Sequence, residues 1–239
     1  MNRTLPRLAL GLGLLAGPAF LHAQHGHLNA GAVGQNQGDA LIFVNGADFA
    51  ASSGYVKELT FSGSGSYAGY YQGGITLTAV HALAGTDASG VPYAAHPQAA
   101  APGAFLQYAI VSVEGPAGGS FQFWEEGAAT PTFSYSSGYQ AGGSPDWIVL
   151  SDASSGAGTP GGDPYGHLHG RRFSTATSGE YTVGFQVVDS SVHGANGGPI
   201  QGPSDVLLIR FNSVPEPETV ALALMGLTAL ALVVRRRHT

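Results

Sequence analysis

The chain contains no cysteine. That excludes disulfide scaffolds, thiolate zinc fingers, iron–sulfur clusters and thiol nucleophiles. Charge is also scarce: only 10% of the residues are Asp, Glu, Lys or Arg, and Lys and Arg together number 9 of 239. So few cations argue against nucleic-acid binding, which rests on Lys and Arg neutralising phosphates. No segment keeps a 3.6-residue apolar period over three turns, so amphipathic helices are not expected. Several catalytic signatures are missing as well. The chain has no Gly-x-Ser-x-Gly elbow and no His-Glu-x-x-His, and its glycine runs, such as 63–74, lack the strand–helix context and the lysine of a phosphate loop. What the chain does have is glycine, 37 residues of it, and a 44% apolar fraction too high for a disordered polyelectrolyte.

Both ends read as targeting segments rather than as parts of a fold. Arg3 and Arg7 precede an apolar run from Leu8 to Phe20, and Leu21-His22-Ala23 then offers a cleavage site. Residues 1–23 therefore read as a signal peptide, removed by signal peptidase to leave Gln24 first. At the other end, Val214-Pro215-Glu216-Pro217 is followed by an apolar run over 219–234 and then Arg235-Arg236-Arg237. Sixteen helical residues rise about 24 Å, short for a hydrocarbon core of about 30 Å. The arginines would stay on the cytoplasmic side. A transmembrane helix over 219–234 would thus hold the domain outside before processing. Pro215, Glu216, Pro217 and the three arginines resemble the PEP-CTERM sorting signal of Gram-negative bacteria. The resemblance implies cleavage near Pro-Glu-Pro by an exosortase, a membrane-embedded cysteine transpeptidase. It also implies passage through an inner-membrane intermediate to the cell surface or extracellular matrix.

Residues 24–213 are left as one domain, long enough for a real core. Lys57, Arg171, Arg172 and Arg210 face 13 acidic residues there, so the exported part attracts cations. Strand signals dominate: Ala40 to Val44, Ile75 to Leu83, Phe105 to Val113, Phe121 to Trp124, Trp147 to Leu150, Glu180 to Asp189 and Val206 to Phe211. Short strands between Gly/Ser/Pro-rich loops predict an all-β domain, a single antiparallel β-sandwich of immunoglobulin-like or jelly-roll-like kind. The segment 86–104, with Pro92, Pro97 and Pro102, is long enough to be a functional or loosely ordered loop. Gly179 suits a positive-φ turn, and Tyr181 a buried ring whose hydroxyl bonds the backbone at a sandwich corner.

Histidine is the one concentrated reactive group. Four of the domain's seven form His-x-His pairs, His25-Gly26-His27 and His167-Leu168-His169. In an extended chain residues i and i+2 point the same way, so each pair aims two imidazoles at one side. Neutral imidazole suits Zn²⁺, and a four-coordinate zinc needs three or four such ligands. His25, His27, His167 and His169 are the first candidates for a zinc site, with His81 and His193 second. His81 also reads as a hydrogen-bonded core residue, and His96 as an ordinary loop residue. Glu125-Glu126 reads as an exposed strand end rather than as a glycosidase pair.

The stretch His167-Leu168-His169-Gly170-Arg171-Arg172-Phe173, then Ser178-Gly179-Glu180-Tyr181-Thr182-Val183, resembles the surface-anchored His-x-His repeat of actinobacterial and related exported proteins. It is also similar to PEP-CTERM proteins repressed by the zinc-uptake regulator. Arg171-Arg172 stands where that pattern has an aromatic residue, and Ser178 where it has proline. The resemblance implies zinc handling outside the cytoplasm. The expectation is a metal-binding protein and not an enzyme. The alternative is a structural or adhesive protein of the biofilm matrix, touching exopolysaccharide and having no metal role.

Overall fold

The computed structural model describes residues 26–143 and 145–213. The signal peptide, His25, the sorting residues Pro215, Glu216, Pro217 and Arg235 to Arg237, and the expected helix over 219–234 lie outside the described residues. Among the described residues no helix is long and apolar enough to cross a membrane.

The longest sheet is built on one pair of long strands. Leu106–Glu114 and Gly179–Asp189 run antiparallel from Glu114 opposite Thr182 to Leu106 opposite Asp189, with a bulge at Gly184/Phe185. Leu207–Ser213 pairs with the other side of Gly179–Asp189. Tyr139–Gln140 and Ile148–Val149 continue beyond Leu106–Glu114. A second sheet orders Phe133–Ser136, Ser120–Trp124, Arg172–Thr175, Tyr70–Gly73 and Thr60–Ser62, all antiparallel. A third orders Gly166–Leu168, Thr76–Ala79, His27–Ala32 and Leu41–Phe43. The chain passes from the second sheet to the third through Gly74-Ile75, and back again between Leu168 and Arg172.

Alternation explains why Leu207–Ser213 and most of Gly179–Asp189 bury one face, whereas Ser120–Trp124 and Arg172–Thr175 are buried on both. Phe121, Phe123, Phe173, Tyr181, Val183, Phe185, Ile209 and Phe211 are all buried. Phe173 meets Phe185 and Phe211 edge-on or tilted, each with ring centroids 5.5 Å apart, so aromatic rings from the first two sheets interlock. Leu28, Ala30, Leu41, Leu77 and Ala79 bring the third sheet into the same core. The domain is thus all-β and sandwich-like, as expected.

The expectation of purely antiparallel pairing is corrected at two places. His27–Ala32 runs parallel to Thr76–Ala79, and Val56–Glu58 runs parallel to Leu207–Ser213. The strand expected over 75–83 is also shorter, ending at Ala79. Asp163 diverts the chain there: its carboxylate accepts from the backbone N–H of Ala82 at 2.9 Å and that of Leu83 at 3.4 Å. The 86–104 segment is not a loose loop throughout. Ala99, Ala100, Ala101 and Ala104 are buried, and the Ala32 N–H donates to the Gln98 carbonyl at 2.8 Å. Gly31 permits that approach, since a Cβ there would lie 2.1 Å from the same oxygen.

The Tyr181 corner forms as expected. Its ring is buried, and its hydroxyl donates to the Thr177 carbonyl at 3.1 Å and accepts from Thr175 Oγ1 at 2.6 Å. Gly179 opens the strand at φ 139°, and a Cβ there would lie 2.6 Å from Pro116 Cγ.

Candidate functional site: a cluster of three histidines

Leu28, Leu77 and Leu168 stand in register across three adjacent strands of the third sheet. Leu28 and Leu77 are buried in the core and Leu168 packs against it. The residues flanking them in sequence therefore face outward, which places His27, Thr76, Thr78 and His167 on the opposite surface. His169 follows just past the strand end and is exposed.

The outer surface gathers the imidazoles. The His27 and His167 ring centroids are 4.7 Å apart with planes inclined at 40°. His167 and His169 are 3.9 Å apart at 56°, and His27 and His169 are 6.2 Å apart and nearly perpendicular. His27 Nδ1 lies 3.3 Å from Thr78 Oγ1 on the intervening strand, and Nε2 of that ring has no hydrogen bond among the described residues. His167 Nε2 is buried with no hydrogen-bond partner among the described residues. Burial lowers the His167 pKa from its ordinary value, and the neighbouring His169 and His27 lower it further. Both effects favour the neutral form of His167, the form that donates a lone pair to a metal.

The rings contact one another by faces and edges, and their nitrogens do not converge. Among the described residues no group of three or more His, Asp or Glu side chains is arranged to hold a metal ion as it stands. Convergence requires a ring to turn. His169 lies beyond the last strand residue and is the most exposed of the three.

The second-rank histidines are engaged elsewhere. His81 Nδ1 lies 3.0 Å from Asp163 Oδ2, and its ring is stacked between Tyr165 at 3.6 Å and Tyr93 at 3.8 Å. Asp163 therefore ties His81, Ala82 and Leu83 to the 163–165 turn. The His193 ring donates through Nδ1 to the Gly103 carbonyl at 2.9 Å. His96 Nδ1 accepts from the Gln98 N–H. Neither Asp163 nor Thr78 stood out in the sequence. Thr78 lies within the strand expected over 75–83, whereas nothing in the sequence marked Asp163.

Glu125 and Glu126 do lie just past the end of a strand, Ser120–Trp124, as expected. Glu125 Oε2 accepts from Arg171 Nε at 2.6 Å, fastening the turn after His169 to that strand end. A cavity of about 300 Å³ lies beside the cluster, lined by Leu150, Ser151, Asp152, His167 and Arg171 among others.

Comparison with known proteins gives one family match, the PEP-CTERM protein-sorting motif, over residues 213–237. No curated protein and no solved structure matches the chain. The match does not reach the His167–Val183 stretch, and the resemblance to zinc-regulated proteins and His-x-His repeats receives no support from it. The motif indicates an exported protein of the cell envelope or surface, processed by an exosortase.

Proposed function

We propose that this exported protein binds one divalent metal ion, zinc first among them, through His27, His167 and His169. The observation that carries this reading is the gathering of three imidazoles from two non-adjacent strands, with a buried nitrogen of His167 left without a partner. Zinc holds imidazole nitrogens at about 2.0–2.1 Å, which sets tetrahedral ligands roughly 3.3 Å apart. The ring centroids lie 3.9 to 6.2 Å apart, so the side-chain torsions have to change, moving the rings as well as turning them, before three nitrogens stand at that spacing. Thr78 beside His27 would act as the outer partner that orients a ligand ring. His25, two residues before His27, is a further candidate. The role proposed is binding rather than turnover. The sorting motif indicates an exported protein, so any capture or handling of zinc would take place outside the cytoplasm.

Metal content measured by inductively coupled plasma mass spectrometry on the untagged chain tests this reading. The expected result is about one zinc per chain, lost in the His167→Ala/His169→Ala double variant. A chain that retains no zinc, and whose melting temperature zinc does not raise, overturns it.

The resting ring contacts favour a second reading, in which the imidazoles are packing groups of a structural matrix protein. The same measurement separates the two.

A further inference from the structure

The two long strands fall out of register at one place, and a groove lies over the mismatch. Gly184 stands opposite Ser112 and Phe185 opposite Ile110, so Val111 is an extra residue with no partner on the facing strand. A bulge of this kind re-aims the side chains beside it. Val111 and Ser112 both line a cavity of about 500 Å³ on the outer face of the longest sheet, together with Gln140, Trp147, Gln186 and Val206. The bulge also anchors the wall of the groove, since the Val111 carbonyl accepts from the Ala141 N–H at 2.7 Å. Gly184 keeps the floor low: a Cβ there would lie 2.3 Å from Ser112 Oγ and 3.0 Å from Val206 Cγ1. Trp147 is half-buried in the wall. The next residue, Ile148, is buried and pairs with Tyr108, so the indole is turned to the outer side.

We infer that this groove binds a neutral oligosaccharide, with Trp147 as the surface on which a sugar ring packs. The site shares no residue with the histidine cluster, and the inference does not rest on the metal-binding reading. A pyranose ring has an apolar C–H face and a rim of hydroxyls that donate and accept. The groove offers the complement: an indole and valine side chains for the face, two amides and a hydroxyl for the rim. Gln186 is fixed, its Nε2 donating to the Ser204 carbonyl at 2.9 Å. The side chains of Ser112, Gln140 and Trp147 line the same groove and make no hydrogen bond among the described residues. Charge selects the class of sugar. No lining residue is charged, while 13 acidic residues against four basic ones give residues 24–213 a negative field that disfavours uronates and sulfated sugars. An extended peptide would instead seek a free strand edge, and the edge of Leu106–Glu114 here is filled by Tyr139–Gln140 and Ile148–Val149.

The test is isothermal titration calorimetry on the untagged full-length chain, in a detergent without a sugar headgroup. The probes are cellohexaose, maltohexaose and mannohexaose, with hexagalacturonate as the charged counterpart and decaproline as the peptide. At least one neutral hexasaccharide should bind and hexagalacturonate should not. Trp147→Ala should weaken that binding by about tenfold or more, as truncation of a central aromatic anchor does. Gln140 is exposed, so Gln140→Ala should weaken binding at an unchanged melting temperature, which keeps the test standing if Trp147→Ala fails to fold. His167→Ala should bind the sugar as the parent does. Trp124 is 1% exposed in the interior, so a fluorescence change on binding reports Trp147, the other tryptophan of the chain. Failure of all three neutral probes overturns the inference, as does binding that neither Trp147→Ala nor Gln140→Ala weakens. Hexagalacturonate binding as tightly as the neutral sugars overturns the choice of class. Decaproline binding in their place makes the groove a peptide site.

Discussion

His27 and His167 face each other at 4.7 Å although no backbone hydrogen bond joins their strands. Thr76–Ala79 runs between them, parallel to His27–Ala32 and antiparallel to Gly166–Leu168. The pair meets because both side chains lean across that central strand on its outer face. Any ion held there joins the first strand of the domain to an edge strand far along the chain.

Zinc should therefore stabilise the fold, and His167 should be the residue that transmits the effect. At a zinc concentration 100-fold above the dissociation constant, the gain is about 2.7 kcal/mol. His167→Ala should lose that gain. Without metal its stability should differ from the parent by less than about 1 kcal/mol, because the ring it removes has an unpaired buried nitrogen. Urea unfolding with and without zinc measures both. A variant that still gains stability from zinc would place the ion elsewhere.

Acid should weaken the domain through the same residue. The folded protein lowers the His167 pKa below its ordinary 6.5, by burial and then by the charges of His169 and His27. A histidine so shifted takes up a proton more readily when unfolded, so its full stability contribution is present above 6.5 and is lost as pH falls through the lowered folded value. Bound zinc should leave over the same window, since protonation competes for the lone pair. Metal-free unfolding curves from about pH 7.5 to 5 should slope less in His167→Ala than in the parent. Equal slopes would remove His167 as the cause.

Gly166→Ala should damage the site through the backbone. A Cβ at Gly166 would lie 1.8 Å from the Leu150 carbonyl oxygen and 2.8 Å from Ser151 Cα. Those are backbone atoms, so the edge strand carrying His167 has to move. The cost should exceed about 2 kcal/mol, and zinc affinity should fall with it. A variant as stable as the parent would show that the edge strand is free to shift.

Asp163→Ala should separate the structural histidine from the candidate ligands. Asp163 accepts from His81 Nδ1 and from the N–H groups of Ala82 and Tyr165 at 2.9 and 3.2 Å. Losing these bonds in a mostly buried position should cost about 2–3 kcal/mol, with zinc affinity unchanged in the protein that remains folded. Reduced zinc affinity at unchanged stability would bring His81 into the metal site.

Tyr181→Phe should cost about 1–2 kcal/mol while leaving zinc binding intact. The hydroxyl it removes bonds Thr175 and Thr177 inside the corner. Chemical denaturation measures the loss, and an unchanged midpoint would mean that Thr175 finds full compensation in its own bond to the Thr177 carbonyl at 3.0 Å.

The sequence by itself determined the local features. The strands at Leu106–Glu114 and Gly179–Asp189 were legible because their alternation repeats over many residues, and the Tyr181 corner because its geometry is made within a few positions. The His167-Leu168-His169 spacing announced two neighbouring rings for the same reason, whereas His25 of the other pair lies outside the described residues. The strands Tyr70–Gly73 and Gly166–Leu168 gave little signal, since glycine, glutamine and histidine carry no β pattern of their own and become strands only by pairing with neighbours. Tertiary structure alone decided that Thr76–Ala79 would lie between His27 and His167, that the 75–83 segment would stop where Asp163 captures its N–H groups, and that Ala99 to Ala101 would enter the core. These depend on which distant strands share a sheet, and that choice is made by the summed burial of the whole core, a quantity no local stretch of sequence contains.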